Sequence, residues 1–283
     1  MKFLYINTGP YTFRLYNKCA VVGHSLSQMY CNTNIEIERH DFDIAIRPPN
    51  LLRKFISPQI SFYCDKQTPF FPLPHSQSYP LLEWGMNWCI AAHEYSRLVI
   101  HSAVLVKNGK AILFPALPGS GKSTLSALLS EMGWTVFSDE MAIVELDNLH
   151  VKPINRPICL KNDAIDIVKS SFSNSIFTNK FFDTQKGTVA HKRVHTPASF
   201  SVLKDMPICA VVFPKYMRGE ATNLTRIASA EGTLQIIRNA FNYHVMAEKG
   251  FEALADLADT VEFFSLVYSD IDSAEKALTE LLL

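Results

Sequence analysis

A glycine-rich loop between a short apolar run and a helical repeat constrains this chain more than any other feature. The loop reads A-L-P-G-S-G-K-S-T over residues 116–124. Gly119 and Gly121 can adopt backbone angles that are closed to other residues, so their amides can turn towards a bound anion. Lys122 would then bring an ammonium to the β- and γ-phosphates of a nucleotide, and Ser123 a hydroxyl to Mg²⁺. The motif predicts a phosphate-binding loop of the Walker A kind, a P-loop.

The residues on either side of the loop give it the setting that such a motif requires. Residues 111–114 form a short apolar run with strand character. After the loop, apolar residues recur at helical spacing as far as Gly133, where a helix would end, and residues 134–137 predict a second strand. The usual pattern begins with glycine where this chain has Ala116, so the strand–loop–helix–strand context carries the prediction. An ordinary glycine–serine turn is the alternative.

Two adjacent carboxylates, Asp139 and Glu140, follow the second predicted strand. This is the edge of the sheet where the loop is expected. Negative charge beside a bound polyphosphate repels it unless a metal ion lies between them. Two carboxylates at this position therefore fit Mg²⁺ ligation or proton abstraction from a hydroxyl. The alternative is a solvated turn, which is common for an Asp-Glu pair.

A histidine, His101, interrupts the apolar run of residues 98–106. An Asn-Gly pair at 108–109 predicts a hairpin that leads back into the strand before the loop. Pairing of these two strands would bring His101 near the loop. A histidine in an apolar strand is more often a hydrogen-bonded core residue, so the pattern by itself leaves both interpretations open.

Composition excludes several classes of protein. The chain has 283 residues with 48% apolar content, which suits one large domain or two unequal ones. Lys+Arg and Asp+Glu both total 27, so no strong field would recruit nucleic acid or an anionic membrane. The six scattered cysteines lack metal spacing and predict buried free thiols in a reducing compartment. We find no signal peptide and no apolar stretch near the roughly 20 residues that span a bilayer, so we expect a cytoplasmic protein.

The remaining patterns predict an α/β chain with two parts. Residues 1–78 form a small β-rich module and residues 79–283 a larger α/β domain. In the module, strands are expected at 13–16, 35–38 and 43–46, followed by a proline-rich linker at 69–74. In the domain, helices are expected at 80–98, 229–247 and 272–282, and further strands at 157–160, 209–213 and 261–268. The segment 170–199 lacks periodicity, which fits either a lid that closes over phosphates or a mobile surface loop.

The loop, the histidine strand and the acidic pair together resemble the catalytic domain of HPr kinase/phosphorylase. That family has an H-G-x-L-V strand, a G-x-x-G-x-G-K-S loop and a G-H-x-x-V-x-D-D segment. The counterparts here, in the same order and spacing, are H-S-A-V-L-V from His101, P-G-S-G-K-S from Pro118 and G-W-T-V-F-S-D-E from Gly133. Over nearly the whole chain, a closer likeness is to the HPr-kinase-related kinase A family of bacteria. Its shared landmarks include E-W-G-M-N-W-C at 83–89, R-P-I-C-L-K at 156–161, K-G-T at 186–188, F-P-K-Y at 213–216 and A-F-N-Y at 240–243.

The resemblance implies an ATP- and Mg²⁺-dependent kinase with a P-loop-containing, HPr-kinase-like catalytic domain built on a mixed sheet. It implies that Asp139 is the base, that His101 orients the acidic pair, and that Glu140 supports the metal with Ser123. Three further residues are implied to steady the transferring phosphoryl group: Arg156, Lys161 and Lys186. The nucleotide would be held by Pro118, Gly119, Ser120, Gly121, Lys122, Ser123 and Thr124.

Two departures from the parent family bear on the substrate. The loop ends in G-K-S-T instead of G-K-S-E, and the E-x-R-G segment is not found. Both departures argue against HPr itself as the substrate and against the reverse phosphorolysis reaction. Related kinases act on ribosomally made peptides, so a serine hydroxyl of a peptide or small protein is expected, and the parent family's assembly implies a homo-oligomer. A sugar or nucleoside kinase, and an ATP-binding regulatory protein without transfer activity, are the alternatives.

Overall fold

The computed structural model of the chain describes residues 3–30, 39–117, 119–172 and 174–282. The strands are β1 (Leu4–Asn7), β2 (Thr12–Asn17), β3 (Phe42–Arg47), β4 (Gln59–Cys64), β5 (Leu73–Pro74), β6 (Leu98–Ile100), β7 (Ser102–Lys107), β8 (Lys110–Pro115), β9 (Thr135–Ser138), β10 (Ala142–Val144), β11 (His150–Lys152), β12 (Ile158–Lys161), β13 (Phe181–Thr184), β14 (Gly187–Lys192), β15 (Met206–Tyr216), β16 (Asn223–Ile227) and β17 (Glu262–Tyr268). The helices are α1 (Ala20–Met29), α2 (Leu52–Phe55), α3 (Ser78–His93), α4 (Lys122–Glu131), α5 (Asp163–Ser171), α6 (Pro197–Ser201), α7 (Ser229–Asn239), α8 (Tyr243–Thr260) and α9 (Ile271–Glu280). The predicted α/β class is confirmed.

The chain divides into two compact units. Unit 1 contains Met1–His93, Asn155–Lys169 and Ser173–Val202, and unit 2 contains Glu94–Ile154, Ser170–Phe172 and Leu203–Leu283. This division does not follow the predicted boundary after residue 78. Helix α3 lies with the N-terminal strands because it packs tightly on their sheet: Gly85 approaches the Phe62 ring so closely that a Cβ would clash with it.

The described residues of unit 1 form a five-stranded sheet in the order β1-β2-β3-β4-β5. Neighbouring strands are antiparallel except for the parallel pair β2–β3. The expected strands at 13–16 and 43–46 are confirmed within β2 and β3, whereas the one at 35–38 lies outside the described residues. The end of the proline-rich stretch is not a free linker, because Leu73 and Pro74 pair with β4.

A second, three-stranded sheet in unit 1 has the order β12-β14-β13. The segment 170–199 was expected to be irregular, and this prediction was wrong, because β13 and β14 form an antiparallel hairpin there. Burial explains why the sequence of β14 does not show the pattern of a strand. Residues 189–192 are all buried, so β14 does not alternate apolar and polar residues as a half-exposed strand would.

Among the described residues, unit 2 contains a nine-stranded mixed sheet. Its main order is β6-β10-β11-β15-β8-β7-β9, with β17 beside β15 and β16 beside β17. Strand β15 runs parallel to β8 and to β17, whereas β7 lies antiparallel between β8 and β9. The carboxyl ends of β8, β9, β15 and β17 therefore reach one edge of the sheet, and the start of β7 lies at the same edge.

Both faces of this sheet are buried. Val104 and Val106 of β7 join a core with Ile236 of α7 and Leu257 of α8, while Leu105 between them is equally buried on the opposite side. Strands covered on both faces are apolar at nearly every position. This explains the near-continuous apolar runs in the sequence.

Local predictions in unit 2 held with three exceptions. The helix predicted over 80–98 ends earlier, because α3 stops at His93 and Leu98 already begins β6. The Asn-Gly hairpin is confirmed, with Lys107 paired to Lys110 across it. The apolar run at 98–106 is not one strand, because it breaks at His101 between β6 and β7. The helix predicted over 229–247 is two helices, α7 and α8, separated at residues 240–242. None of the helices in the described ranges has the length and apolarity needed to cross a membrane.

Candidate functional site

The glycine loop connects the end of β8 to the start of α4 at the shared edge of the unit 2 sheet. Gly119 has φ +89° and Gly121, the residue that caps α4, has φ +90°. Both lie in the region that disfavours side chains, as the motif predicts. Pro118 lies outside the described residues. Both glycines therefore have the left-handed conformation that the predicted loop needs, and α4 begins directly after Gly121.

The two glycines have different surroundings. A Cβ added at Gly119 would meet nothing within 4 Å, so the space on that side of the residue is open. A Cβ at Gly121 would lie 3.0 Å from Cβ of Tyr216 and 3.1 Å from the hydroxyl of Tyr268. The space beside Gly119 could therefore hold a ligand, whereas side chains of the protein occupy the space beside Gly121.

Tyr216 and Tyr268 form the wall behind the loop. They end β15 and β17, and their rings meet edge to face with centroids 5.7 Å apart. The backbone N–H of Tyr216 donates to the carbonyl of Ser120 at 3.0 Å, which ties the loop to β15. Burial raises the pKa of Tyr268, so its hydroxyl stays neutral. Sequence reasoning assigned neither tyrosine to the site, and the only signal was that Tyr216 ends the F-P-K-Y landmark.

Lys122 is the first residue of α4 and is only 9% exposed. Its Nζ lies 3.3 Å from Nε2 of His101. An ammonium at this depth is poorly hydrated, so its attraction for an anion is stronger than at an exposed position. The lysine thus begins the helix after the loop, and its predicted contact with phosphates stays a prediction.

His101 occupies the break between β6 and β7. Its backbone N–H donates to the carbonyl of Asn239 at 2.7 Å, and its ring meets Phe241 edge to face at 5.7 Å. The connection between α7 and α8 therefore fixes the imidazole beside Lys122. The contact with Lys122 favours the functional interpretation over that of a core residue, while its predicted role in orienting the acidic pair stays a prediction.

Asp139 follows β9 at the same edge and is 6% exposed. Burial raises the pKa of this carboxyl to about 6, although the nearby Lys122 ammonium and Ser123 hydroxyl favour its ionised form. Its Oδ1 is buried and has no hydrogen-bond partner among the described residues. A buried carboxylate with one unpaired oxygen is suited to accept a proton or to ligate a cation.

The turn after Asp139 is shaped by Ser138. Its hydroxyl accepts from the backbone N–H of Met141 at 3.0 Å and from that of Glu140 at 3.3 Å. Glu140 is half-buried, and its charge contributes to the raised pKa of Asp139. The acidic pair therefore lies in a turn that hydrogen bonds to Ser138 hold in place, and not in a freely solvated turn.

Thr124 lies in the first turn of α4, and three further predicted residues, Arg156, Lys161 and Lys186, belong to unit 1. Arg156 is buried and forks onto Glu83, with Nη2 at 2.6 Å and Nε at 3.0 Å from Oε2. Tyr30 donates to Oε1 of the same carboxylate at 3.0 Å. Lys161 ends β12, and Lys186 holds its Nζ 5.3 Å above the Trp84 ring. Within unit 2 the structure gathers the loop, His101 and the acidic pair; the roles of the three unit 1 cations stay predictions.

Comparisons with known proteins add little to this geometry. No family model and no curated protein matches the chain. One solved structure found to be similar is the HPr(Ser) kinase/phosphatase from Coxiella burnetii, at 10% identity and a TM-score of 0.28. The match covers 65% of this chain and 99% of that chain. It is the kind of protein that the motifs resemble, but at this identity and score it carries no argument about the site.

Proposed function

We propose that this chain transfers the γ-phosphoryl group of ATP to a hydroxyl, a serine side chain of a peptide or small protein. One observation carries the proposal: a buried ammonium, a loop glycine with open space beside it and a buried carboxylate with a raised pKa lie at one sheet edge. Phosphate-binding loops serve many kinds of protein. A proton acceptor beside the loop is what the activation of a hydroxyl additionally requires.

The residues present fit a nucleotide and its metal. The loop amides, the Lys122 ammonium and the positive end of α4 would hold the phosphates. The Ser123 hydroxyl and the Glu140 carboxylate would hold Mg²⁺, which typically takes one or two protein oxygens and completes its shell with phosphate and water. When bound, MgATP supplies the phosphoryl group and neutralises its charge.

The chain's own residues supply position and a proton acceptor. Asp139, with a pKa of about 6, is mostly ionised at neutral pH, so it can accept a hydrogen bond from the acceptor's hydroxyl and take its proton. His101 would position the Lys122 ammonium through their 3.3 Å contact, and the contacts of His101 with Asn239 and Phe241 hold the histidine in place. Phosphoryl transfer depends mainly on such positioning and charge neutralisation.

Two variants separate binding from transfer. Asp139→Asn should lower transfer of labelled phosphate by about 10²-fold or more, because the base is lost, while calorimetric ATP affinity changes little. Lys122→Ala should weaken ATP binding itself. Asp147→Asn, which changes an exposed carboxylate of the same unit, is the matched control and should alter neither property.

The acceptors to test are the small proteins encoded beside the gene, followed by sugars and nucleosides. Label in a small molecule alone would favour the small-molecule alternative. ATP binding with no transfer to anything would favour a regulatory protein. If Asp139→Asn lost binding and transfer equally, the assignment of Asp139 as the base would be wrong.

A further inference from the structure

Unit 1 contains a cavity of about 470 Å³ that the proposed reaction does not use. It lies between the end of β2 and the connection from β3 to β4, and its size is in the range of ligand pockets. Four cationic side chains line it: Lys18, Arg47, Arg53 and Lys54. Among the described residues that line it there is no Asp or Glu. The cavity is therefore a concave basic site.

Carboxylates in the described part of the chain do not neutralise these four cations, since none of them forms an ion pair there. Three of the cations lie over aromatic rings: Arg47 is 4.1 Å from the centroid of Tyr63, Lys18 Nζ is 5.3 Å from that of Tyr16, and Lys54 Nζ is 5.0 Å from that of Phe55. Such contacts orient a cation without cancelling its charge. A carboxylate that enters the cavity from solvent would therefore meet positive charge that no described carboxylate of the chain neutralises.

An apolar rim borders the same cavity. The segment 51–56 exposes four large apolar residues, each between 60% and 79% accessible: Leu51, Leu52, Phe55 and Ile56. Arg53 and Lys54 of the cavity belong to this segment. Asn50 Oδ1 accepts from the backbone N–H of Arg53 at 2.8 Å, so the segment starts as an ordered turn of helix. Contiguous exposed apolar side chains commonly mark a site of interaction.

We infer that this surface, the cavity with its 51–56 rim, docks an acidic segment of a partner protein that also carries apolar side chains. Cations inside a concavity match carboxylates, and the rim matches the apolar side chains between them. A flat membrane surface would not enter the concavity. A single-stranded nucleic acid stacks successive bases on several aromatic side chains, and Phe55 is the only Phe, Tyr or Trp among the described residues of the cavity and its rim.

Binding to full-length protein tests this inference with a fluorescent short peptide of alternating glutamate and leucine as the probe. The peptide should bind, and its affinity should fall with salt because the cations are exposed. The double variant Arg53→Glu, Lys54→Glu should bind about tenfold more weakly. Leu51→Ser with Phe55→Ser should also weaken binding. Lys66→Glu, an exposed cation of unit 1 outside the cavity, is the matched control and should change nothing.

Matched probes decide between occupants. A lysine–leucine peptide should not bind, and a glutamate–serine peptide should bind more weakly. Absence of binding by the glutamate–leucine peptide, or equal binding by every variant, would overturn the inference. Stronger competition by phosphatidylserine vesicles, single-stranded DNA or inorganic phosphate would overturn it in favour of that ligand. Lys122→Ala should leave peptide binding intact, so this result does not depend on the proposed kinase function.

Discussion

Alanine at the two loop glycines should have unequal costs, and the structure sets the difference. Gly119 and Gly121 share nearly the same φ, +89° and +90°, so each substitution costs about 1–2 kcal/mol in backbone strain. Only at Gly121 would the new methyl group meet protein, 3.0 Å from Cβ of Tyr216. That Cβ is fixed to the backbone of β15 and cannot rotate away. Overpacking of this kind adds roughly 1–3 kcal/mol.

Urea unfolding of the nucleotide-free protein measures the difference. We expect Gly119→Ala to lower the free energy of unfolding by about 1–2 kcal/mol and Gly121→Ala by about 2–5 kcal/mol. Gly109→Ala is the matched control: its φ is +73°, nothing lies within 4 Å of the added Cβ, and it belongs to the β7–β8 hairpin. It should cost as much as Gly119→Ala.

ATP affinity separates the same three variants in a second way. Gly119→Ala should weaken binding, because its methyl group enters the space that we assign to phosphates, whereas Gly109→Ala should not. If Gly121→Ala proved no more destabilising than Gly119→Ala, the wall formed by Tyr216 and Tyr268 would not be where the structure places it. Equal ATP affinity for Gly119→Ala and Gly109→Ala would contradict the phosphate site.

Three other substitutions test buried polar groups by urea unfolding. In nucleotide-free protein kept in chelator, Asp139→Asn should stabilise the fold at neutral pH by at most about 3 kcal/mol, since each unit of raised pKa corresponds to about 1.4 kcal/mol. Because the pKa of Asp139 is higher in the folded state, the unsubstituted protein loses stability as pH rises from 3.8 through about 6. The stabilisation by Asp139→Asn should therefore disappear near pH 3.8. An effect of equal size at pH 3.8 and at neutral pH would refute this reasoning. Arg156→Leu should cost about 3–5 kcal/mol by removing the cation from the buried Glu83. Lys180→Leu, which breaks the exposed pair with Asp166, should cost about 1 kcal/mol or less. Similar costs for Arg156→Leu and Lys180→Leu would show that the buried pair of Arg156 with Glu83 does not stabilise the fold. Asn242→Ala should cost about 2–4 kcal/mol, because this side chain accepts from Val99 N and donates to the carbonyls of Glu94 and Arg97; a cost below that of Asn239→Ala, which removes one side-chain bond, would contradict the assignment.

Local sequence patterns determined the elements around the site. Asn108 and Gly109 have φ +53° and +73°, as a tight hairpin requires, and Gly133 has φ +85° just after α4. The strand–loop–helix–strand order from β8 to β9 follows from apolar periodicity and glycine placement alone. Such features depend on residues within a few positions of each other, and a single sequence carries that information.

Tertiary structure decided what surrounds those elements. Strand β7 lies between β8 and β9, Tyr216 and Tyr268 back the loop, and Glu83 holds Arg156, none of which was predicted. The raised pKa of Asp139 likewise results from burial by the assembled sheet. Strand pairing and desolvation join segments far apart in the chain, and no local pattern encodes which distant residues will meet.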